Sequence, residues 1–254
     1  MTVARDHREI GTCALCGDTA VLVESHVIPA FVARWIKDTS ATGFLRDFHQ
    51  PNRRIQDFRT VRLLCQQCEG RFSVAEGKFA RFLFGPFHAG RTRFQYDDWL
   101  LYFAVSLAWR CSIRRVLPSS QSIHNMWRRS RPLEKCGRTF LLGRVNRAGA
   151  YRFNLFFTPL GVTSSGQLPE GIAWYLLRAP DGTPLYGKTR TAVYVKLPGM
   201  FFWTSVVPPD PGGWRGTKIA QTSLVLRIRP ILADSPNVLA PRSAEIRPNP
   251  PPNG

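Results

Sequence analysis

The spacing of apolar residues in the first third of the chain predicts two helices separated by a long polar segment. Residues 30–37 carry apolar side chains at 31, 32, 35 and 36, the stripe of a short helix that Pro29 would start. Residues 68–84 show the same 3.6-residue period. A short strand is expected at 20–23, and the polar, arginine-rich residues 38–60 are expected to form a loop.

The middle of the chain predicts further helices. Residues 85–97 contain glycine and proline and indicate a break, after which residues 98–115 form a strongly apolar helix. We expect this helix to lie in the core, because its apolar run of about 11 residues is too short to cross a membrane. Another helix is expected to start near residue 118 and to reach Lys135, with Trp127 as its hydrophobic anchor.

From residue 151 onward the sequence changes to β-branched and aromatic runs separated by turn signals. The predicted strands are residues 151–158, 172–178, 191–197, 200–206 and 223–231, with turns at 179–182 and 208–213. The simplest assembly is a five-stranded sheet or partial barrel. The last twenty residues are rich in proline and are expected to be disordered.

These elements predict an α+β protein with central helices and a C-terminal, mostly antiparallel β region. We expect four parts: residues 1–96 as an N-terminal domain, 97–147 as a helical segment, 148–234 as a β-rich domain and 235–254 as a tail.

The composition favours a soluble cytoplasmic protein. No stretch of the sequence has the length and apolar character of a membrane span, and no secretory signal opens the chain, so a membrane is not an expected partner. The six cysteines do not resemble a disulfide framework, because four of them form two close pairs and Cys111 and Cys136 stand alone.

The net charge of +18 is the strongest compositional signal. It is distributed along the chain, and 29 of the 35 basic residues are arginine, the side chain that pairs in a bidentate manner with phosphate. A polyanion such as nucleic acid is therefore the expected partner. The alternative interpretation is a codon-biased genome and a solvated basic surface.

Two cysteine pairs provide the candidate metal site. Cys13-x2-Cys16 and Cys65-x2-Cys68 each place two sulfurs on one turn, and the two turns together would give the four thiolates of a closed structural zinc site. The alternative is that these are two chance pairs of buried cysteines.

Together with the segment Ser25-His26-Val27-Ile28-Pro29 and with Glu69 directly after the last cysteine, these pairs resemble the zinc-braced HNH endonucleases. The resemblance covers about residues 10–85 and implies a zinc-bound ββα finger of the treble-clef type. In that family a histidine is the general base for the attacking water, and an acidic residue before it, with a residue after the last cysteine, holds one Mg²⁺ or Mn²⁺ ion on the phosphate.

Carried over by position, His26 matches the base, Glu69 takes the metal position on the helix, and Ser25 stands where aspartate is usual. Glu76 lies seven residues after Glu69, so the two carboxylates can share one edge of the helix and point into one cleft. The alternative for Glu76 is a side chain that faces water.

The sequence thus predicts a metal-dependent endonuclease that acts on nucleic acid, with DNA as the expected substrate, and the resemblance extends to effectors of bacterial defence. Specificity would then come from residues 86–254 or from another subunit, and a homodimer stays open. The rival interpretation is a zinc module that binds nucleic acid or a protein partner without cutting it. The basic track expected to hold the substrate consists of Arg53, Arg54, Arg59, Arg128, Arg129 and Arg131. For the first three, a disordered insertion is the alternative.

Overall fold

A computed structural model describes residues 9–47, 50, 52–113, 127–158, 172–209, 216–222 and 224–227. The elements in chain order are β1 (Ile10–Thr12), β2 (Thr19–His26), α1 (Ala30–Asp38), β3 (Leu45–Arg46), β4 (Arg54–Ile55), β5 (Thr60–Cys65), α2 (Gln66–Phe79), α3 (Gly85–His88), β6 (Arg93–Tyr96), α4 (Asp98–Ser112), α5 (Arg131–Leu141), β7 (Arg152–Phe157), α6 (Ile172–Arg178), β8 (Asp181–Tyr186), β9 (Thr191–Leu197), β10 (Met200–Val207) and β11 (Leu224–Arg227), with a π-helical turn at Ala80–Phe84 between α2 and α3. The predicted α+β class is confirmed.

The N-terminal part is a three-stranded antiparallel sheet in the order β1-β2-β5, followed directly by α2. Strand β2 is longer than the predicted 20–23 and ends at His26, which lies opposite Thr60 of β5. The pairing shifts between Val23 and Glu24, where a bulge interrupts the register. Bulges re-aim the side chains that follow them, and this one lies immediately before the candidate site.

The predicted helices of the first third are confirmed. Helix α1 starts after Pro29, whose φ of −53° suits a helix start. Helix α2 and the π-helical turn together cover the predicted 68–84. The expected loop at 38–60 contains the short hairpin β3–β4, and the expected break at 85–97 contains α3 and β6.

The core connects all three parts of the described chain. Helix α4 is buried almost throughout, and its start is capped by the Asp97 carboxylate, which accepts a hydrogen bond from the Trp99 N–H at 3.2 Å. Phe103 of this helix stacks on Phe79 of α2 at 4.0 Å between ring centroids, and Phe202 of β10 lies 5.7 Å from both rings. The expected domain boundaries stay a prediction.

Among the described residues, the C-terminal sheet has four antiparallel strands in the order β7-β10-β9-β8, where five were predicted. The predicted strand at 172–178 is wrong, since this segment is helix α6. A short apolar run between turn signals does not distinguish a strand from a helix. The predicted turn at 179–182 overlaps β8, an edge strand where Pro184 is tolerated because it need not donate a ladder hydrogen bond.

The other strand predicted for this sheet lies elsewhere. The described part of segment 223–231 is β11, which pairs with β6 in a separate two-stranded sheet. The helix expected from residue 118 is described only from Trp127, and a turn at 128–130 precedes α5, which runs past Lys135 to Leu141. The expected tail at 235–254 lies outside the described residues. Within the described ranges, every helix is too short or too polar to cross a bilayer.

Candidate functional site

The four paired cysteines converge into one cluster. The four sulfur atoms all lie within 4.8 Å of one another, and those of Cys16 and Cys65 are 4.0 Å apart. They belong to Cys13, Cys16, Cys65 and Cys68. Cys13 and Cys68 are buried, whereas Cys16 and Cys65 are half-buried. Four thiolates at this spacing could hold a metal ion such as zinc.

Local backbone structure places the sulfurs. The first pair sits on a turn in which the Gly17 N–H donates to the Cys13 carbonyl at 3.0 Å, with Gly17 at a φ of +91° that favours glycine. The Ala14 N–H donates to the Leu63 carbonyl at 2.9 Å, which joins this turn to β5. Arg138 of α5 closes the other side, with its Nε donating to the Leu15 carbonyl at 2.6 Å.

The thiols of the cluster differ in their acidity. Burial raises the pKa of Cys13, but backbone N–H donors, led by that of Cys65, outweigh it and lower the pKa to about 7. Burial raises the pKa of Cys16 to about 11, and burial with the neighbouring sulfurs also raises the pKa of Cys68. A divalent cation would favour the thiolate form of all four, because its charge offsets the cost of desolvation.

Ser25 and Glu69 meet beside this cluster. The Ser25 hydroxyl, which is only 1% exposed, donates to Glu69 Oε2 at 2.7 Å. Ser25 comes from the end of β2, and Glu69 lies in the first turn of α2, directly after Cys68. The two residues that the sequence assigned to one metal position are therefore in contact.

His26 makes its contact with a residue that the sequence analysis did not select. Its Nε2 lies 2.9 Å from Oδ2 of Asp57, and the two side chains are 22% and 44% exposed. Asp57 comes from the segment between β4 and β5, which the sequence presented only as a polar, arginine-rich loop. Asp57 becomes a site residue only through this tertiary contact, and such a contact leaves no local signal in the sequence.

Glu76 of α2 forms an ion pair with Arg110, whose side chain also binds strand β2. Its Oε1 lies 2.7 Å from Nη2 of Arg110, forming an ion pair without hydrogen-bond geometry, and the Arg110 side chain is 1% exposed. Arg110 Nη1 also donates to the main-chain carbonyl of His26 at 2.7 Å. Glu76 therefore forms an ion pair and is only 17% exposed, so it does not simply face water, and its catalytic role stays a prediction.

The six candidate phosphate-binding arginines fall in two regions. Arg53, Arg54 and Arg59 are exposed, and the Arg59 carbonyl accepts a hydrogen bond from Val27 N–H at 3.5 Å, next to His26. Near α5, Arg129 Nη1 donates to the Gly187 carbonyl at 2.5 Å, and Arg131 lies over the Trp127 ring at 5.9 Å. Arg128 is exposed. A continuous track between the two regions stays a prediction.

Comparison of the chain with protein-family models, with curated proteins and with solved structures gave no significant match.

Proposed function

We propose that this protein is a zinc-stabilised, divalent-metal-dependent endonuclease of the HNH type that hydrolyses phosphodiester bonds in nucleic acid, with DNA as the expected substrate. The observation that carries the proposal is the 2.7 Å contact between Ser25, which precedes His26 in β2, and Glu69, which follows Cys68 of the four-cysteine cluster. In the HNH pattern, these two positions hold the metal ion and the histidine between them is the base.

The scaffold around the site supports the same proposal. The β1–β2 hairpin, β5 and the start of α2 bring the two cysteine pairs together in the order expected of a treble-clef finger. The donor set fits zinc, because four thiolates complete a closed tetrahedral site. Such a site stabilises a small finger and leaves the chemistry to other residues.

Of the two described residues that meet at this site, Glu69 is the better donor for the catalytic divalent ion. The Glu69 carboxylate suits Mg²⁺ or Mn²⁺, and the Ser25 hydroxyl next to it is a weaker oxygen ligand. When bound, such an ion would supply Lewis-acid stabilisation of charge on the phosphate.

His26 supplies the proton transfer. The imidazole at the partly exposed end of β2 can take a proton from water as the water oxygen forms its bond to phosphorus. The bond from phosphorus to the leaving sugar oxygen then breaks, and that oxygen takes up a proton from solvent. Arg59, whose carbonyl accepts a hydrogen bond from the Val27 N–H, and the exposed Arg53 and Arg54 carry positive charge and would hold flanking phosphates.

The test is cleavage by full-length, zinc-loaded protein of single-stranded, duplex and branched DNA and RNA. We expect cleavage when Mg²⁺ or Mn²⁺ is added, none when both are left out, and loss of cleavage in Glu69→Gln. The matched control is Asp38→Asn, which removes an exposed carboxylate at the end of α1 and should keep full activity. Equal activity in Glu69→Gln and wild type would remove Glu69 from the metal site.

One observation favours a second candidate, a zinc module that binds nucleic acid without cutting it. Ser25 replaces the usual aspartate, and its hydroxyl already satisfies one oxygen of Glu69. This candidate predicts salt-dependent binding to nucleic acid with no cleavage on any of the substrates at any divalent-ion concentration.

A further inference from the structure

We propose that Asp57 is a positioning residue that fixes the ring orientation and tautomer of His26, and that the residues between β4 and β5 serve to present it. This inference rests on the proposed nuclease function. It deepens that function by adding a residue that the HNH resemblance did not supply.

The contact involves one specific nitrogen of the ring. His26 Nε2 lies 2.9 Å from Asp57 Oδ2, and a carboxylate can only accept a hydrogen bond. Nε2 therefore carries the proton, and Nδ1 of the neutral ring is left with the free lone pair. A base needs such a lone pair, so Asp57 determines that Nδ1 is the nitrogen that takes the proton from water.

The segment that carries Asp57 is itself held at several points. The second carboxylate oxygen, Oδ1, accepts a hydrogen bond from the Phe58 N–H at 2.8 Å. Gln56, the residue before Asp57, is held by α1, because Lys37 Nζ of that helix donates to the Gln56 carbonyl at 3.1 Å. Phe58 packs against the hydrophobic core. Asp57 therefore reaches His26 from a backbone that is anchored on both sides.

The exposure of the His26 and Asp57 side chains distinguishes a positioning role for Asp57 from a role in folding stability. Asp57 is 44% exposed and His26 is 22% exposed. An ion pair in that environment adds little to folding stability because water screens it. Loss of Asp57 should therefore leave the fold and the zinc content unchanged, and an effect on the imidazole or on the cleavage rate would report the loss of the carboxylate that contacts His26 Nε2 and the Phe58 N–H.

The test uses three full-length variants in the cleavage assay. Asp57→Ala removes the acceptor and should slow cleavage by about 10- to 100-fold, because a misoriented base loses its alignment with water. Asp57→Glu returns a carboxylate on a longer side chain and should recover part of that rate. Asp38→Asn changes the charge equally at an exposed site and should cleave like wild type.

A second readout is independent of activity. Long-range proton–nitrogen correlation spectra of ¹⁵N-labelled protein report the tautomer of each of the five histidines, and the signal missing in His26→Ala identifies His26. We expect the Nε2–H tautomer in wild type and a mixture of tautomers in Asp57→Ala.

The outcomes distinguish the two proposals. A wild-type protein that cleaves, with Asp57→Ala cleaving equally fast or with His26 in the Nδ1–H form, overturns the role of Asp57 and leaves the nuclease standing. A wild-type protein that cleaves no substrate overturns the nuclease and this role with it.

Discussion

At the scale of single residues, Ser25 stands where the proposed HNH pattern has aspartate. Ser25 is 1% exposed, and its hydroxyl donates a hydrogen bond to Glu69. Replacement by aspartate would place two carboxylates together, and like charges in a buried place destabilise each other unless a cation lies between them. This position therefore reports directly on divalent-metal binding.

We predict that Ser25→Asp unfolds at a lower temperature than wild type when no Mg²⁺ is added, and that Mg²⁺ restores its stability. Saturation at 100 times Kd should add about 2.7 kcal/mol to the free energy of unfolding. The measurement is thermal unfolding of zinc-loaded protein with increasing Mg²⁺. Ser25→Ala, the control, should lose about 1 kcal/mol for its hydrogen bond and, with Glu69 as its remaining donor, should gain less from Mg²⁺ than Ser25→Asp. An unresponsive Ser25→Asp would contradict a metal site at Glu69.

The cysteine cluster gives a second residue-scale prediction. Cys68→Ser replaces a buried ligand, so zinc content should fall from one ion per chain to well below one and the finger should become sensitive to protease. Cys136→Ser is the matched control, since this half-buried cysteine lies outside the cluster. Elemental analysis with limited proteolysis checks both. Full zinc content in Cys68→Ser would contradict the four-thiolate assignment.

At the scale of elements, Arg110 joins the central helix α4 to the N-terminal part of the chain, which contains β2 and α2. The Arg110 side chain, which is 1% exposed, pairs with Glu76 of α2 and donates to the His26 carbonyl of β2. Strand β2, which carries His26, is therefore held by a residue from outside the N-terminal part. We expect the N-terminal part and the helical segment to unfold together.

We predict that Glu76→Gln lowers the free energy of unfolding by about 3 kcal/mol, because it leaves a buried guanidinium without its counter-charge. Adding Arg110→Met to this variant should recover part of the loss, since removing both charges costs less than removing one. Urea unfolding of the two variants gives the comparison. A loss below about 1 kcal/mol for Glu76→Gln would show that the pair is effectively solvated.

These contacts also show what the sequence could predict. The spacing of Cys13, Cys16, Cys65 and Cys68 predicted their cluster, because each pair is fixed by a local turn. The helical stripe at 68–84 was equally local and was confirmed. Neither Asp57 nor Arg110 could be predicted, because each acts through a partner far away in sequence.

The errors in the C-terminal part have the same origin. Segment 172–178 is a helix and 181–186 a strand, although local turn and apolar signals favoured a strand and a turn. Pairing with β9 decides the second case, since β8 forms its ladder there despite containing Gly182 and Pro184. Tertiary partners therefore outweighed local preference in this region.

At the scale of the whole molecule, the net charge of +18 favours the proposed nucleic-acid partner. If Arg53, Arg54 and Arg59 each neutralise a phosphate, changing all three to glutamine should reduce the slope of log affinity against log salt by about 2.7 on duplex DNA, at about 0.9 per phosphate. Changing all three to lysine keeps the charge and should keep the slope. Binding titrations at several salt concentrations provide the values. A slope that is equal in the glutamine variant and in wild type would make this segment a solvated insertion.

The measurement that tests the central claim most directly is the cleavage rate of His26→Ala against wild type, on whichever nucleic acid the wild type cleaves fastest with Mg²⁺ or Mn²⁺. We predict that wild type cleaves and that His26→Ala, with the same zinc content and unfolding temperature, is slower by at least about 100-fold, as expected for loss of a general base. A wild-type protein that binds nucleic acid without cleaving it, or a His26→Ala protein that cleaves at the wild-type rate, would contradict the account.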